Sequence, residues 1–123
     1  MIFEMTEQER LQVLDSFRND MTEEKLWDVI VAYQGVPFQT VSGLPFQYEI
    51  KRGRNGEYNK ELIVSRRTDS KTIVWSSIRL AFNNALKHKG TVVPRPKALG
   101  DIRGISYIYP LLHEFGVIEV PEG

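Results

Sequence analysis

Between Pro37 and Arg67 the apolar residues recur at every second position, whereas on both sides they recur at every third or fourth. This change of period restricts the fold more than any other feature. Phe38 and Thr40, then Phe46, Tyr48 and Ile50, alternate with polar residues as half-buried strands do. Ser42-Gly43 suits a turn, and Pro45 stands at a strand start, where a missing N–H is harmless. Asn55-Gly56 closes a second hairpin. A strict two-residue loop there would set Ile50 against Glu61 on one face. A shift of one residue pairs Ile50 with Leu62, Tyr48 with Val64 and Lys51 with Glu61, which satisfies both faces. The expectation is therefore a three-residue loop or a bulge near Gly53 or Gly56. Gln47, Glu49, Lys51, Glu61, Ile63 and Ser65 then share the outer face.

The flanking segments read as helices. Thr6 followed by Glu9 is a capping-box pattern, and Leu11, Leu14, Phe17 and Arg18 follow at helical spacing over roughly 6 to 19. Thr22, Glu23 and Glu24 open a second helix, with Leu26, Trp27, Ile30, Val31 and Tyr33 as its apolar face and Gly35 and Pro37 as its stop. Asp69 to Thr72 is expected to turn the chain into a long amphipathic helix, Val74 to Lys87. Its stripe is Val74, Trp75, Ile78, Ala81, Phe82, Ala85 and Leu86. Pro94 and Pro96 argue for an extended segment over Val92 to Arg103. A short helix near Ser106 to Phe115 ends at Gly116, and Val117, Ile118 and Val120 can add an edge strand. The whole is an expected α+β domain over 1–123: two N-terminal helices, a three-stranded antiparallel meander packed on the long amphipathic helix, and the short C-terminal helix.

At 123 residues, 41% hydrophobic and 26% charged, the chain has the composition of an ordinary globular domain. Cys is absent, which removes disulfides, thiolate nucleophiles and Cys-based metal sites. Met1 to Arg10 shows no basic stretch followed by an apolar run of about 7 to 15 residues, so no secretory signal is expected there. No apolar run approaches a membrane span. The expected location is cytoplasmic.

A formal net charge of zero hides strong segregation: Met1 to Ile50 carries 3 basic and 9 acidic residues, and Lys51 to Arg103 carries 13 basic and 4 acidic. A clustered positive surface attracts polyanions whatever the total charge. The candidate nucleic-acid-binding residues are Lys51, Arg52, Arg54, Arg66, Arg67, Lys71, Arg79, Lys87, Lys89, Arg95, Lys97 and Arg103. They come from consecutive elements, which tend to be spatial neighbours. Trp27, Trp75, Phe82, Tyr107 and Tyr109 are aromatic candidates for stacking bases in single strands.

Three short strands followed by an amphipathic helix, over 37 to 88, resemble in order the DNA readers that lay a sheet in the major groove, with Gln47 and Lys51 on the outer face. Lys97-Ala98-Leu99-Gly100 leading to Ser106-Tyr107-Ile108-Tyr109 and Leu111 to Ile118 resembles winged helix-turn-helix domains, over 97–118. That resemblance implies that Arg103, Ser106, Tyr107 and Tyr109 face DNA. Here the stretch from Gly100 to Ser106 is longer than in that family, and Pro110 stands inside the helix.

Other chemistry has less to stand on. Glu49 and Lys51 have the acid-x-lysine spacing of metal-dependent nucleases, with Asp28 or Glu24 as a further ligand. The same two residues suit a cross-strand structural role. His88 and His113 lack a third ligand at a recognised spacing, and Ser76, Ser77 and Ser106 lack a nucleophile elbow. No cofactor and no resident metal are expected. The sequence favours a non-catalytic nucleic-acid-binding accessory or regulatory protein, with DNA or RNA as partner. The alternatives are a protein-interaction module or homodimer pairing acidic helices with the basic surface, and the nuclease.

Overall fold

A computed structural model describes residues 5–66 and 69–121. Among these residues there are four α-helices and a four-stranded antiparallel sheet, an α+β fold. The chain forms two compact units that divide between Gln34 and Gly35.

The first unit is a helical hairpin. Helix α1, Glu7–Asn19, begins with the expected capping box: the Glu9 amide donates to Thr6 Oγ1 at 3.1 Å and the Thr6 amide to Glu9 Oε1 at 3.2 Å. Helix α2, Glu23–Ala32, is capped by Thr22, which accepts from the Lys25 amide at 3.2 Å. Leu14, Phe17, Leu26, Val29, Ile30 and Ala32 are buried, while Leu11 of the expected apolar face stays 54% exposed.

The second unit holds β1 (Phe38–Gln39), β2 (Pro45–Arg52), β3 (Tyr58–Ser65) and β4 (Ser70–Val74), hydrogen-bonded in chain order. Its central register is the one face matching requires: Ile50 opposes Leu62, and Tyr48 opposes Val64. The Gly53 amide bonds the Glu57 carbonyl at 2.8 Å, enclosing Arg54, Asn55 and Gly56 as a three-residue loop with Gly56 at φ +79°. The register then slips between Ile50 and Arg52. Because Ile50 pairs with Leu62 and Arg52 with Tyr58, Lys51 alone stands against Asn59, Lys60 and Glu61. Such a bulge turns side chains away from strict alternation.

Four expectations are corrected. The meander has four strands, because Ser70–Val74 pairs along β3 with Ile73 opposite Leu62, where a turn was expected over Asp69 to Thr72. Helix α3 therefore begins at Trp75 and runs to Leu86, with Val74 as its cap residue and 40% exposed. Among the described residues the C-terminal segment adds no edge strand to the sheet: Glu119 makes an isolated parallel bridge to Val92, and its carbonyl accepts from the Val93 amide at 2.8 Å. Within the stretch expected to be extended, Pro96–Leu99 forms a short 3₁₀ helix.

One face of the sheet is buried, by α3 and by α4 (Ile105–Glu114) rather than by one long helix. Phe46 meets Tyr107 edge to face at 5.2 Å between ring centroids, and Phe38 meets Phe115 likewise at 6.3 Å. Six of the ten residues of α4 are buried, so it is apolar nearly all round, and Pro110 stands half-buried within it. Leu62 and Val64 are fully buried. Truncating Leu62 to Ala should cost about 2–5 kcal/mol. The other sheet face stays open, with Gln47, Glu49, Lys51, Ser65, Ser70 and Thr72 exposed.

Candidate functional site

The bulge in β3 and the abrupt start of α3 together build a groove at one end of the open sheet face. It has a volume of about 560 Å³ and is lined by Lys51, Asn59, Lys60, Glu61, Val74, Trp75, Ser76 and Arg79. The register places Glu61 opposite Val74, which brings β3 against the first turn of α3. Strict alternation would turn Lys60 to the same side as Leu62. That is also the side that α3 covers, and the Lys60 ammonium lies 5.4 Å from the centroid of the Trp75 ring. Arg79 follows Trp75 by four residues and so shares its helix face.

The electrostatics of this corner are positive. Three cations face a single carboxylate, and that carboxylate, Glu61, is bridged by Lys51 at 3.7 Å. Among the described residues, α3 opens with no side-chain cap bond and no acid in its first turn. Its first amides and the positive end of its dipole add to the same sign.

The remaining basic candidates do not gather here. Arg52 is spent on its own hairpin: Nη1 donates to the Gly56 carbonyl at 2.8 Å, Nη2 to the Tyr58 hydroxyl at 3.2 Å, and its guanidinium stacks 4.5 Å from the Tyr58 centroid. Arg54 is exposed at the loop tip. Arg66 and Lys71 lie beside Tyr107, each with its charged centre 5.9 Å from the ring centroid. Arg66 also donates to Tyr107 Oη at 2.8 Å and pairs with Asp69. Those two bonds, Tyr107 first, raise its proton affinity above the ordinary arginine range. Arg67 lies outside the described residues.

Lys87 and Lys89 follow the last turn of α3, about 18 Å along the axis from Trp75 for a helix of this length. Arg95, Lys97 and Arg103 are exposed on the segment beyond. Asn84, late in α3, donates to the Leu99 carbonyl at 2.8 Å and holds that segment at the same far end. The basic middle is thus divided among separate places. Of the four residues that the winged-helix resemblance turns towards DNA, Arg103 and Ser106 are exposed, while Tyr107 and Tyr109 are buried at 5% and 4% exposure.

Lys60 was not among the sequence candidates, although it is one of the basic residues of the middle segment. Glu49 sits mid-face opposite Ile63, which in turn opposes Thr72, so its cross-strand row offers no second carboxylate. Among the described residues, no three His, Asp or Glu side chains cluster as metal ligands, and no helix is long and apolar enough to cross a membrane. No protein-family model, no curated protein and no solved structure matches this chain.

Proposed function

We propose that this protein is a non-catalytic nucleic-acid-binding protein that takes up the phosphate backbone in the groove between the β3 bulge and the start of α3. The observation that carries this reading is the convergence of Lys51, Lys60 and Arg79 around Trp75 in one open groove. Three such cations supply charge-assisted contacts to a phosphate backbone. The other basic candidates contribute through the general field and not through contact.

Fluorescence anisotropy with a labelled oligonucleotide, from about 50 to about 200 mM salt, tests this reading, since three phosphate contacts give a log–log slope of about −2 to −3. Charge reversal of Lys60 and Arg79 together should abolish binding, whereas reversal of Lys87 and Lys89 should leave it nearly intact. Absence of binding at low salt, or binding that survives the first pair of reversals, overturns the reading.

A second reading rests on the hairpin unit, where Glu7, Asp15, Asp20, Glu24 and Asp28 are exposed. Two copies would then associate through acidic hairpin and basic groove. Light scattering should show a dimer that dissociates as salt rises. A monomer at high concentration and low salt removes this reading.

A further inference from the structure

The groove contains an aromatic face as well as charge, and this narrows the kind of nucleic acid it suits. We infer that the groove selects single-stranded nucleic acid, with one unpaired base stacking on Trp75 while Lys51, Lys60 and Arg79 hold the flanking phosphates. The inference rests on the nucleic-acid reading and adds to it the state of the strand.

Its physical basis is the position of Lys60. The ammonium lies over the Trp75 ring at 5.4 Å from the centroid, so the ring presents a face to the groove and a cation already occupies the place of a stacking partner. Lysine sits on a flexible four-carbon stem. It can leave the ring for a phosphate while a base takes its place, which keeps the ring covered in both states. Arg79 shares the ring's helix face, and Lys51 lines the same groove from β2. Phosphates on either side of the stacked base therefore meet a cation each.

Duplex suits this arrangement poorly. Bases in a duplex are stacked on their neighbours and show only their edges in the grooves, so stacking on a side chain requires extrusion of a nucleotide at a cost of a few kcal/mol. A single strand offers its base faces without that cost.

The experiment compares an oligothymidylate strand of about 15 nucleotides, a duplex of the same length, and inorganic polyphosphate, each titrated into the native protein with tryptophan emission as the readout. The strand should quench emission and bind roughly 10-fold or more tightly than the duplex, and polyphosphate should bind without comparable quenching. Trp75→Ala should lose roughly 10-fold or more in strand affinity, in line with the usual value of base–aromatic stacking. Trp75→Phe, which retains a ring and the fold, should keep most of the affinity but lose the quenching. Equal binding of strand and duplex without quenching, or unchanged strand affinity in Trp75→Ala, overturns the inference and leaves the nucleic-acid reading in place. Failure of all three ligands to bind overturns both.

Discussion

Arg66 Nη1 donates a 2.8 Å hydrogen bond to the hydroxyl of Tyr107, joining the end of β3 to α4 across 41 residues of chain. Its other terminal nitrogen pairs with Asp69. The guanidinium is therefore a clamp within the fold and is poorly placed to serve as a phosphate ligand. Tyr107→Phe should lower the melting temperature by about 2–5 °C, as loss of one hydrogen bond does in a domain of this size. Arg66→Ala should also destabilise the protein while leaving nucleic-acid affinity and its salt dependence unchanged. If Arg66 held a phosphate instead, its loss would flatten the salt slope by roughly 0.7 to 0.9. Thermal melts and anisotropy on the two variants separate these outcomes.

Tyr109 gives the protein a pH dependence. Its hydroxyl donates to the Val93 carbonyl at 2.5 Å, and burial raises its pKa above the ordinary value near 10. The unfolded chain then loses this proton at a lower pH than the folded protein. The stabilisation is complete below about pH 10 and is lost as pH rises through the folded value. Melting temperature should fall in that alkaline range, and Tyr109→Phe should flatten the decline. At neutral pH the same variant should cost about 1–2 kcal/mol, because the buried Val93 carbonyl loses its donor.

The sheet register could be read because one face had to be apolar: with Tyr48 and Ile50 fixed on that face, only one slip satisfies Leu62 and Val64 together. Both N-terminal caps were legible for a similar reason, since Thr6, Glu9 and Thr22 act within a few residues of themselves. Strand β4 left no such mark. Only Ile73 of its five residues is buried, and a single apolar position carries no period. Val74 could then be counted into a helical stripe to which it does not belong. The division of the basic residues was beyond sequence reasoning, because charge has no periodicity that binds it to a face. Lys60 shows the limit most clearly: its place in β3 carries no sign of the helix start that brings Trp75 to 5.4 Å from its ammonium.

Gly104 separates two costs that a glycine can hide. It precedes α4 at φ +82°, and a Cβ there would meet Ile73 Cγ1 at 3.0 Å. Gly43, in the β1–β2 turn, has φ +87° with nothing within 4 Å of the same position. Gly43→Ala should therefore cost only the backbone strain, about 1–2 kcal/mol. Gly104→Ala adds displacement of the buried Ile73 and should cost roughly 1–3 kcal/mol more. Urea midpoints for the two variants measure the difference, and equal losses would mean that Ile73 moves aside freely.

Glu49 is where a nuclease and a binding protein part company. Replacement by Gln keeps its shape and removes the charge that a divalent metal requires. In the sheet, Glu49 opposes Ile63, while Lys51 bridges Glu61 at 3.7 Å across the bulge. The lysine thus has a cross-strand partner of its own, and the acid has no carboxylate directly beside it in its row. We expect no cleavage of oligonucleotides by the parent protein with magnesium or manganese, and unchanged or slightly tighter binding in Glu49→Gln, since a like charge is removed from the path of the phosphates. Lys51→Ala should weaken binding through the lost contact. Its effect on stability should be small, well under about 1 kcal/mol, because the exposed Lys51–Glu61 pair is screened by water and salt. Metal-dependent cutting that disappears in Glu49→Gln would reverse the assignment, and Lys51 would then be the residue that steadies the developing charge.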